Sequence, residues 1–326
     1  AMEIARVLLL PETSKVETFM KGRVELVEFT LRENGLLVGL PLKEIYRKFQ
    51  IKILVCAVKR GDEIYIPDGE FVLQQGDKIH ITASHQELEA FFKAIGKRIL
   101  KVKKVLIGGG GHVCFYLALQ LLQAGMQVKI IERDEKRCEQ LCEILPKATI
   151  IHGDAADHDL LLEEGIREAD AFVALTGMDE ENIIMSLFAK TQGVGKVVAK
   201  VNEDSRAQLV EELGIDSTVS AKGATADAIM SYVRARNNSY SSVNIETAYR
   251  LLGGKVEALE FIIKEECQFT NVPLKNLATK ANHLIACIGR KGKIIIPNGE
   301  DHLEAGDSVI VVTKDHIINS FSDILA

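Results

Sequence analysis

Short apolar runs alternate with helix-like segments through the middle of the chain. After each run, apolar residues recur every three or four positions, as on one face of a helix. Strands that alternate with helices in this way are typical of an α/β fold with a parallel, doubly wound sheet. The pattern predicts strands at 104–108, 128–132, 148–151, 171–175 and 196–201, and helices at about 112–125, 134–145, 157–165, 180–192 and 204–213.

An internal duplication flanks this segment. Residues 16–29 (VETFMKGRVELVEF) match residues 245–261 (IETAYRLLGGKVEALEF), and each copy then runs into a Pro-Leu pair. Further along, residues 64–81 (IYIPDGEFVLQQGDKIHI) match residues 294–311 (IIIPNGEDHLEAGDSVIV). Matches in the same order at nearly the same offset predict two copies of one module.

Each copy has the pattern of a small α+β unit. Pro-Asp-Gly at 67–69 and Pro-Asn-Gly at 297–299 predict tight turns, because Pro presets φ and Gly accepts a positive φ. Short helices that begin at a proline are predicted at 41–49 and 273–281. A module of about 80 residues buries too little surface alone. We therefore expect the two copies to share a core.

These patterns divide the chain into three predicted domains. Residues 1–98 hold the first module with a preceding helix remnant, residues 99–236 form the α/β domain, and residues 237–326 hold the second module. The last helix of the α/β domain is predicted at about 223–236. Because only the second module follows an α/β domain, we expect a further such domain upstream of residue 1.

Composition excludes several classes of protein. Lys and Arg number 40 against 46 Asp and Glu, which argues against a general nucleic-acid binder. The chain has no Trp and only 6% aromatic residues, so a base-stacking surface is not expected. No apolar run approaches the ~20 residues that cross a bilayer, and the first residues do not form a secretory signal. A soluble, intracellular protein is expected.

The clearest chemical signal is a glycine-rich loop between a predicted strand and helix. Residues 105–125 read VLIGGGGHVCFYLALQLLQAG, and the next strand ends at Glu132. Glycines let the main chain approach a diphosphate, the helix start offers unpaired N–H groups, and the acid accepts ribose hydroxyls. This arrangement favours an NAD-like or adenosine ligand. Cys114 stands where the third glycine of such loops packs the helix on the strand, so a Rossmann-like turn without a ligand is the alternative.

A family resemblance then becomes specific. The runs IIHGDAAD (150–157), ADAFVALTGMDEENIIMSLFAK (169–190) and KVVAKVNEDS (196–205) resemble the RCK, or TrkA-N, regulatory domain of potassium transport proteins. The repeated modules resemble its companion TrkA-C domain. The order of domains is similar to that of the TrkA family, cytosolic regulatory subunits of Trk potassium uptake systems that carry two such pairs. The resemblance covers nearly the whole chain, with the first TrkA-N domain absent.

The resemblance also implies a set of site residues, all at the carboxyl ends of strands. A diphosphate would lie on the glycine loop, with the ribose on Glu132 and the remaining contacts beyond the third, fourth and fifth strands. His112 stands where the family often has Arg or Asn, which leaves the choice between NAD(H), the favoured ligand, and ATP or ADP open. The implied residues are Gly109, Gly110, Gly111, His112 and Val113 for the diphosphate, Glu132 for the ribose, Asp154 and Ala155 for the adenine, Thr176 and Gly177 over the ligand, and Lys200 for a phosphate.

Two other clusters have a functional and a structural interpretation. Cys138 and Cys142 lie one helical turn apart, as half of a metal site would, but two packed thiols are favoured. His152, Asp154, Asp157 and His158 combine metal-ligand chemistry with the pattern of a helix cap, and the cap is favoured, with Asp157 as the N-cap residue. No metal site is predicted.

Two functions compete for this chain. An NAD-dependent oxidoreductase needs a proton-transfer group beside the nicotinamide, and the sequence holds no Tyr-x-x-x-Lys, no Gly-x-Ser-x-Gly and no convincing His–Asp pair. A regulatory subunit needs a ligand cleft and two conformations, not a base. The second function is favoured. The resemblance implies a membrane potassium-translocating partner of the TrkH type, self-association into dimers or a ring, and a peripheral position on the inner face of the membrane.

Overall fold

The computed structural model describes most of the chain and divides it into two compact units. One unit comprises residues 1–15 and 98–224, and the other residues 16–97 and 225–326. The described residues are 1–9, 15–31, 35–97, 102–203, 206, 210, 213, 215, 217–237, 243–314, 318 and 320–325.

Strands and helices follow one another in the order that the patterns predict. The strands are β1 (Lys15–Phe19), β2 (Val24–Thr30), β3 (Leu54–Arg60), β4 (Glu63–Tyr65), β5 (Lys78–Ala83), β6 (Lys104–Gly108), β7 (Gln127–Glu132), β8 (Thr149–His152), β9 (Ala171–Ala174), β10 (Lys196–Lys200), β11 (Ser217–Val219), β12 (Val243–Leu251), β13 (Val256–Ile263), β14 (His283–Arg290), β15 (Lys293–Ile295) and β16 (Ser308–Lys314). The helices are α1 (Met2–Leu9), α2 (Leu42–Phe49), α3 (His85–Ala94), α4 (His112–Gln123), α5 (Glu135–Ile144), α6 (His158–Glu163), α7 (Asp179–Thr191) and α8 (Ala221–Asn237).

The first unit contains a parallel sheet of six strands. Its order is β11-β10-β9-β6-β7-β8, and every described pairing is parallel. The central strand β9 is buried along its whole length, as expected of a strand covered on both faces. The prediction of a Rossmann-like, doubly wound α/β sheet is therefore confirmed. The sequence patterns missed β11, because three residues are too short to show a period, and the predicted helix 204–213 lies mostly outside the described residues.

The N-terminal helix packs in this unit. Its residues Ile4, Val7 and Leu8 are buried, and α1 contacts α4 and β11. The sequence analysis joined this helix remnant to the first module, within residues 1–98. Its apolar face instead covers part of the α/β unit. The family-domain boundaries near 98 and 236 stay predictions, because compactness alone does not define them.

The second unit contains two antiparallel sheets of five strands with the same topology. Their orders are β1-β2-β5-β3-β4 and β12-β13-β16-β14-β15. The strand β3 carries a register shift between Val55 and Ala57, and β14 carries one between Ile285 and Cys287. Equal strand order and a bulge in the same part of the same strand mean that the sequence repeat is also a structural repeat.

The two copies share one core. Phe19 and Met20 from the first copy are buried in one cluster with Leu251 and Val256 from the second. The rings of Phe19 and Tyr249 meet edge to face with centroids 5.0 Å apart. The Met20 amide donates to Glu260 across the same boundary at 3.1 Å. The expectation that each small module completes its core with the other copy is confirmed.

One predicted helix does not form. In the first copy, α2 begins directly after Pro41, as expected. In the second copy, the segment predicted as a helix at 273–281 makes only a single 3-10 turn, Leu274–Asn276. Its later backbone groups are used elsewhere: the Lys280 amide donates to the Ile324 carbonyl at 2.9 Å, and Thr279 pairs with Leu325. These pairings with the end of the chain replace the helix.

A buried ion pair fixes the last turn of each copy. In the second copy, the Arg290 guanidinium donates to both carboxylate oxygens of Asp307 at 2.9 and 2.8 Å and to the His302 carbonyl. Arg60 and Asp77 repeat this contact in the first copy. The hydrogen bond to Asp307 raises the pKa of Arg290. Asp307 is 1% exposed, so its charge depends on this partner.

Removing the buried Asp307 carboxylate should therefore lower the free energy of unfolding. Asp307→Ala leaves the Arg290 guanidinium without its two-point partner, and we expect a loss of about 3–5 kcal/mol in the free energy of unfolding. Urea denaturation followed by circular dichroism measures this loss. The exposed pair Lys275–Glu300 is the matched control, and Glu300→Ala should cost at most about 1 kcal/mol. Equal losses in the two variants would contradict the assignment.

Candidate functional site

A cleft of about 290 Å³ lies at the carboxyl edge of the parallel sheet. Open sheets of this kind bind ligands at that edge, where the strand order reverses between β6 and β9. Two of the predicted site residues, His112 and Val113, are not among the residues that line the cleft, and they form the first turn of α4. The other nine do line it: Gly109, Gly110, Gly111, Glu132, Asp154, Ala155, Thr176, Gly177 and Lys200.

Gly109 brings the glycine loop against the end of β9. Its φ is +99°, and a Cβ there would lie 2.9 Å from the Leu175 carbonyl carbon and 3.0 Å from the Thr176 nitrogen. Its amide donates to the Ile131 carbonyl at 2.9 Å. Both the backbone conformation and the close approach therefore require glycine at this position.

The start of α4 is open to the cleft. Gly111 is its N-cap residue, so no side chain caps the first turn, and a Cβ on Gly111 would meet no atom within 4 Å. The unpaired N–H groups and the positive end of the helix dipole make such a start an anion site. His112 is exposed beside it.

Cys114 takes the packing position that sequence reasoning gave it. The side chain is fully buried on α4, and burial raises the pKa of its thiol to about 12. The thiol is therefore an inert, uncharged packing group at neutral pH. Helix and strand pack closely here with Cys in the place of the third glycine.

Glu132 ties the loop to the end of β7. One carboxylate oxygen accepts from the Gly110 amide at 2.5 Å, and the other accepts from the Asp134 amide at 2.9 Å. The Arg137 side chain donates to the Gly110 carbonyl at 2.8 Å. These bonds hold the carboxylate in place, while each of its oxygens keeps lone pairs that can accept from a hydroxyl.

Asn182 connects the ends of β9 and β10. Its side-chain oxygen accepts from the amide and the hydroxyl of Thr176, each at 2.8 Å. Its side-chain nitrogen donates to the Lys200 carbonyl at 2.9 Å. Asn182 is completely buried, so these bonds fix two residues of the cleft wall. The sequence is compatible with a local hydrogen-bonding role for this residue but does not demand one.

Four further lining residues were also missed: Ile131, Arg133, Leu175 and Glu181. Arg133 directly follows Glu132, so its position at the strand end was a usable signal. The acids at the start of α7 lie where the positive end of the helix dipole favours negative charge. Asp179 does more, since it is 6% exposed and accepts from the amides of Asn202 and Glu203 beyond β10.

The two clusters with metal-ligand chemistry lie around the start of α6 and on α5. Asp157 caps α6 by accepting from the amides of Asp159 and Leu160, as predicted. Cys138 is buried, as expected of a packed thiol, but Cys142 is exposed, so the prediction that both thiols pack is wrong for Cys142. Across the residues that the structure describes, no group of three or more His, Cys, Asp or Glu side chains is placed to hold a metal ion.

Comparisons with known proteins agree with this architecture. The TrkA-N domain model matches residues 105–221, and the TrkA-C domain model matches residues 26–96 and 258–326. The chain is 30% identical to Trk system potassium uptake protein TrkA homolog 1 of Methanosarcina mazei over 312 residues, which cover 95% of this chain and 68% of the relative. It is also 30% identical to TrkA of Halomonas elongata, over 96% of this chain and 67% of that protein. The chain thus spans about two thirds of the length of these relatives.

Solved structures share the fold. The crystal structure of the GsuK RCK domain covers 95% of this chain, and 66% of that protein is matched, with a TM-score of 0.53 at 17% identity. The GsuK channel bound to NAD aligns with the same TM-score and identity, with 55% of that chain matched. In the described part of the chain, no helix is both long enough and apolar enough to span a bilayer.

Two glycines of the loop should respond differently to the same change. In Gly109→Ala, the new Cβ meets backbone atoms at a positive φ, and we expect a loss of about 2 kcal/mol or more in the free energy of unfolding. In Gly111→Ala, the Cβ enters open space at a φ of −66°, and the cost should stay below about 1 kcal/mol. Urea denaturation measures both, and the reverse order would contradict the loop geometry.

Proposed function

The chain belongs to the TrkA family of potassium uptake proteins, and on that premise we propose that it is a nucleotide-binding regulatory subunit of a membrane potassium transporter. One observation carries the proposal. A cleft at the carboxyl edge of the parallel sheet combines a glycine loop, an open helix start and a fixed carboxylate at the end of the neighbouring strand. Each of the three suits one part of an adenosine diphosphate.

In the proposed complex, the backbone carries most of the recognition. The amides of Gly109 and Gly110 are already bonded to the Ile131 carbonyl and the Glu132 carboxylate. The diphosphate therefore lies against the amides of Gly111, His112 and Val113, at the positive end of α4. The ribose donates to Glu132. The adenine lies near Asp154 and Ala155, and Thr176, Gly177 and Lys200 close the other side.

NAD(H) is the first candidate ligand, and ATP or ADP the second. A fixed carboxylate at Glu132 suits a ribose with free hydroxyls and disfavours a 2′-phosphate. A solved channel with the same fold is described as bound to NAD, which is a property of that channel and supports the same ligand class here.

A regulatory role is favoured over an NAD-dependent oxidoreductase. A hydride-transfer enzyme usually places a proton donor or acceptor beside the nicotinamide. The residues that line the cleft include no His, Tyr or Cys, and no sequence motif positions Glu181 or Lys200 as a proton-transfer group. Steady turnover of NADH with a small substrate by the purified protein would contradict the regulatory role.

Regulation then follows from differential binding. A nucleotide that binds one conformation more tightly shifts the population by the ratio of its two affinities. We propose that this shift is passed to a potassium-translocating subunit of the TrkH type at the inner face of the cell membrane. Self-association into dimers or a ring is proposed as well. It is supported by apolar side chains on α8 that a single chain leaves exposed, at Ile229, Met230 and Val233.

Calorimetric titration tests the binding proposal. We expect NADH to bind, and Glu132→Ala to weaken it at least tenfold, because the variant removes a charged acceptor and releases the Gly110 amide. Glu139→Ala is the matched control, since it removes an exposed acid from α5 outside the cleft and should leave the affinity unchanged. Absence of binding by NADH, NAD⁺, ATP and ADP alike would contradict the proposal.

A further inference from the structure

The strand order divides the cleft into two halves around the glycine loop. β7 and β8 lie on one side of β6, and β9 and β10 lie on the other. If the adenosine lies over β7 and β8, where Glu132 and Asp154 are, whatever follows the second phosphate extends over β9 and β10. The far half therefore contacts the part of the ligand that distinguishes ADP, ATP and a dinucleotide.

The far half carries two charged side chains, Glu181 and Lys200. Both are partly exposed, and neither side chain has an ion pair or hydrogen bond with any residue that the structure describes. They form no ion pair with each other either. Two charges of opposite sign that line one cleft without pairing are available to a ligand.

Glu181 differs in this respect from the other acids at the start of α7. Asp179 is occupied by the amides of Asn202 and Glu203. Glu180 pairs with Arg206 at 2.9 Å and does not line the cleft. Compensation of the helix dipole accounts for all three acids equally, so it does not explain why one of them faces the cleft without a partner.

We propose that Glu181 determines which nucleotide the cleft prefers. A carboxylate accepts hydrogen bonds and cannot donate them, so it attracts the hydroxyls of a second ribose and repels a third phosphate. Lys200 attracts the phosphates of all three ligands, so Glu181 is the charge in this half that disfavours a third phosphate and accepts from a second ribose. Glu181 thus shifts the preference of the cleft toward a dinucleotide and away from a nucleoside triphosphate. This inference rests on the proposed nucleotide-binding function.

The test compares three ligands on a series of variants. ADP is the reference, because it has the diphosphate and nothing beyond it. In Glu181→Gln the affinity for ATP relative to ADP should rise about fivefold, the effect of removing one like charge at contact distance in a solvated site. The affinity for NADH relative to ADP should fall severalfold. Glu181→Lys should move both ratios further in the same directions.

Glu180→Gln is the matched control. It removes the same charge from the same helical turn, outside the cleft, and should change both affinity ratios less than twofold. Glu181 is partly exposed and unpaired within the described residues, so all variants should melt within about 2 °C of the unmodified chain, a shift that corresponds to less than 1 kcal/mol.

The outcomes distinguish a failure of the proposed binding function from a failure of the selectivity assignment to Glu181. If no nucleotide binds the unmodified chain, the proposed function fails and this inference fails with it. If nucleotides bind but the ratios are the same in Glu181→Gln, Glu181→Lys and Glu180→Gln, the binding function stands and the selectivity assignment is overturned. Ratios that shift only in the two Glu181 variants support it.

Discussion

The close passage of Gly109 along the backbone of Leu175 and Thr176 is the contact on which the shape of the cleft depends. It joins the loop after β6 to the loop after β9, with no room for a Cβ between them. The start of α4 stays open as a result, and the cleft acquires a wall on each side. Glu132 fixes one wall through the Gly110 amide, and Asn182 fixes the other through Thr176 and Lys200. A ligand that fits this cleft meets backbone donors that are already in place, which lowers the entropy lost on binding.

A second constraint governs the repeated modules. Each copy is too small to bury a sufficient core alone, and Phe19 and Met20 of the first copy enter one cluster with Leu251 and Val256 of the second. The Glu260 carboxylate, 3% exposed, accepts from both the Met20 amide and the Ser308 hydroxyl, so the polar groups at this boundary are also satisfied. Duplication within one chain thus provides each module with a partner at high effective concentration.

Local patterns in the sequence predict the parts of this structure that local forces decide. The periodicity of strands and helices predicted the parallel sheet. The glycine loop and the acid at the next strand end predicted that Gly109 and Glu132 line the cleft. Contacts between distant segments decide the rest. The helix expected at 273–281 is replaced by pairing with Ile324 and Leu325, and the role of Asn182 exists only because β9 and β10 end side by side. The assignment of Glu181 also depends on distant contacts. Arg206 pairs with Glu180 and the loop beyond β10 bonds to Asp179, so Glu181 is the acid of this turn that has no partner in the described structure.

The most direct test of the central claim is hydrogen exchange of backbone amides, followed by mass spectrometry with and without saturating NADH. We expect slower exchange at the start of α4, at residues 111–113, and at Gly177. Peptides at the opposite edge of the sheet, such as the start of β7 at Gln127, should be unchanged. Binding of NADH that leaves exchange at residues 111–113 unaltered would contradict the claim that these amides hold the diphosphate.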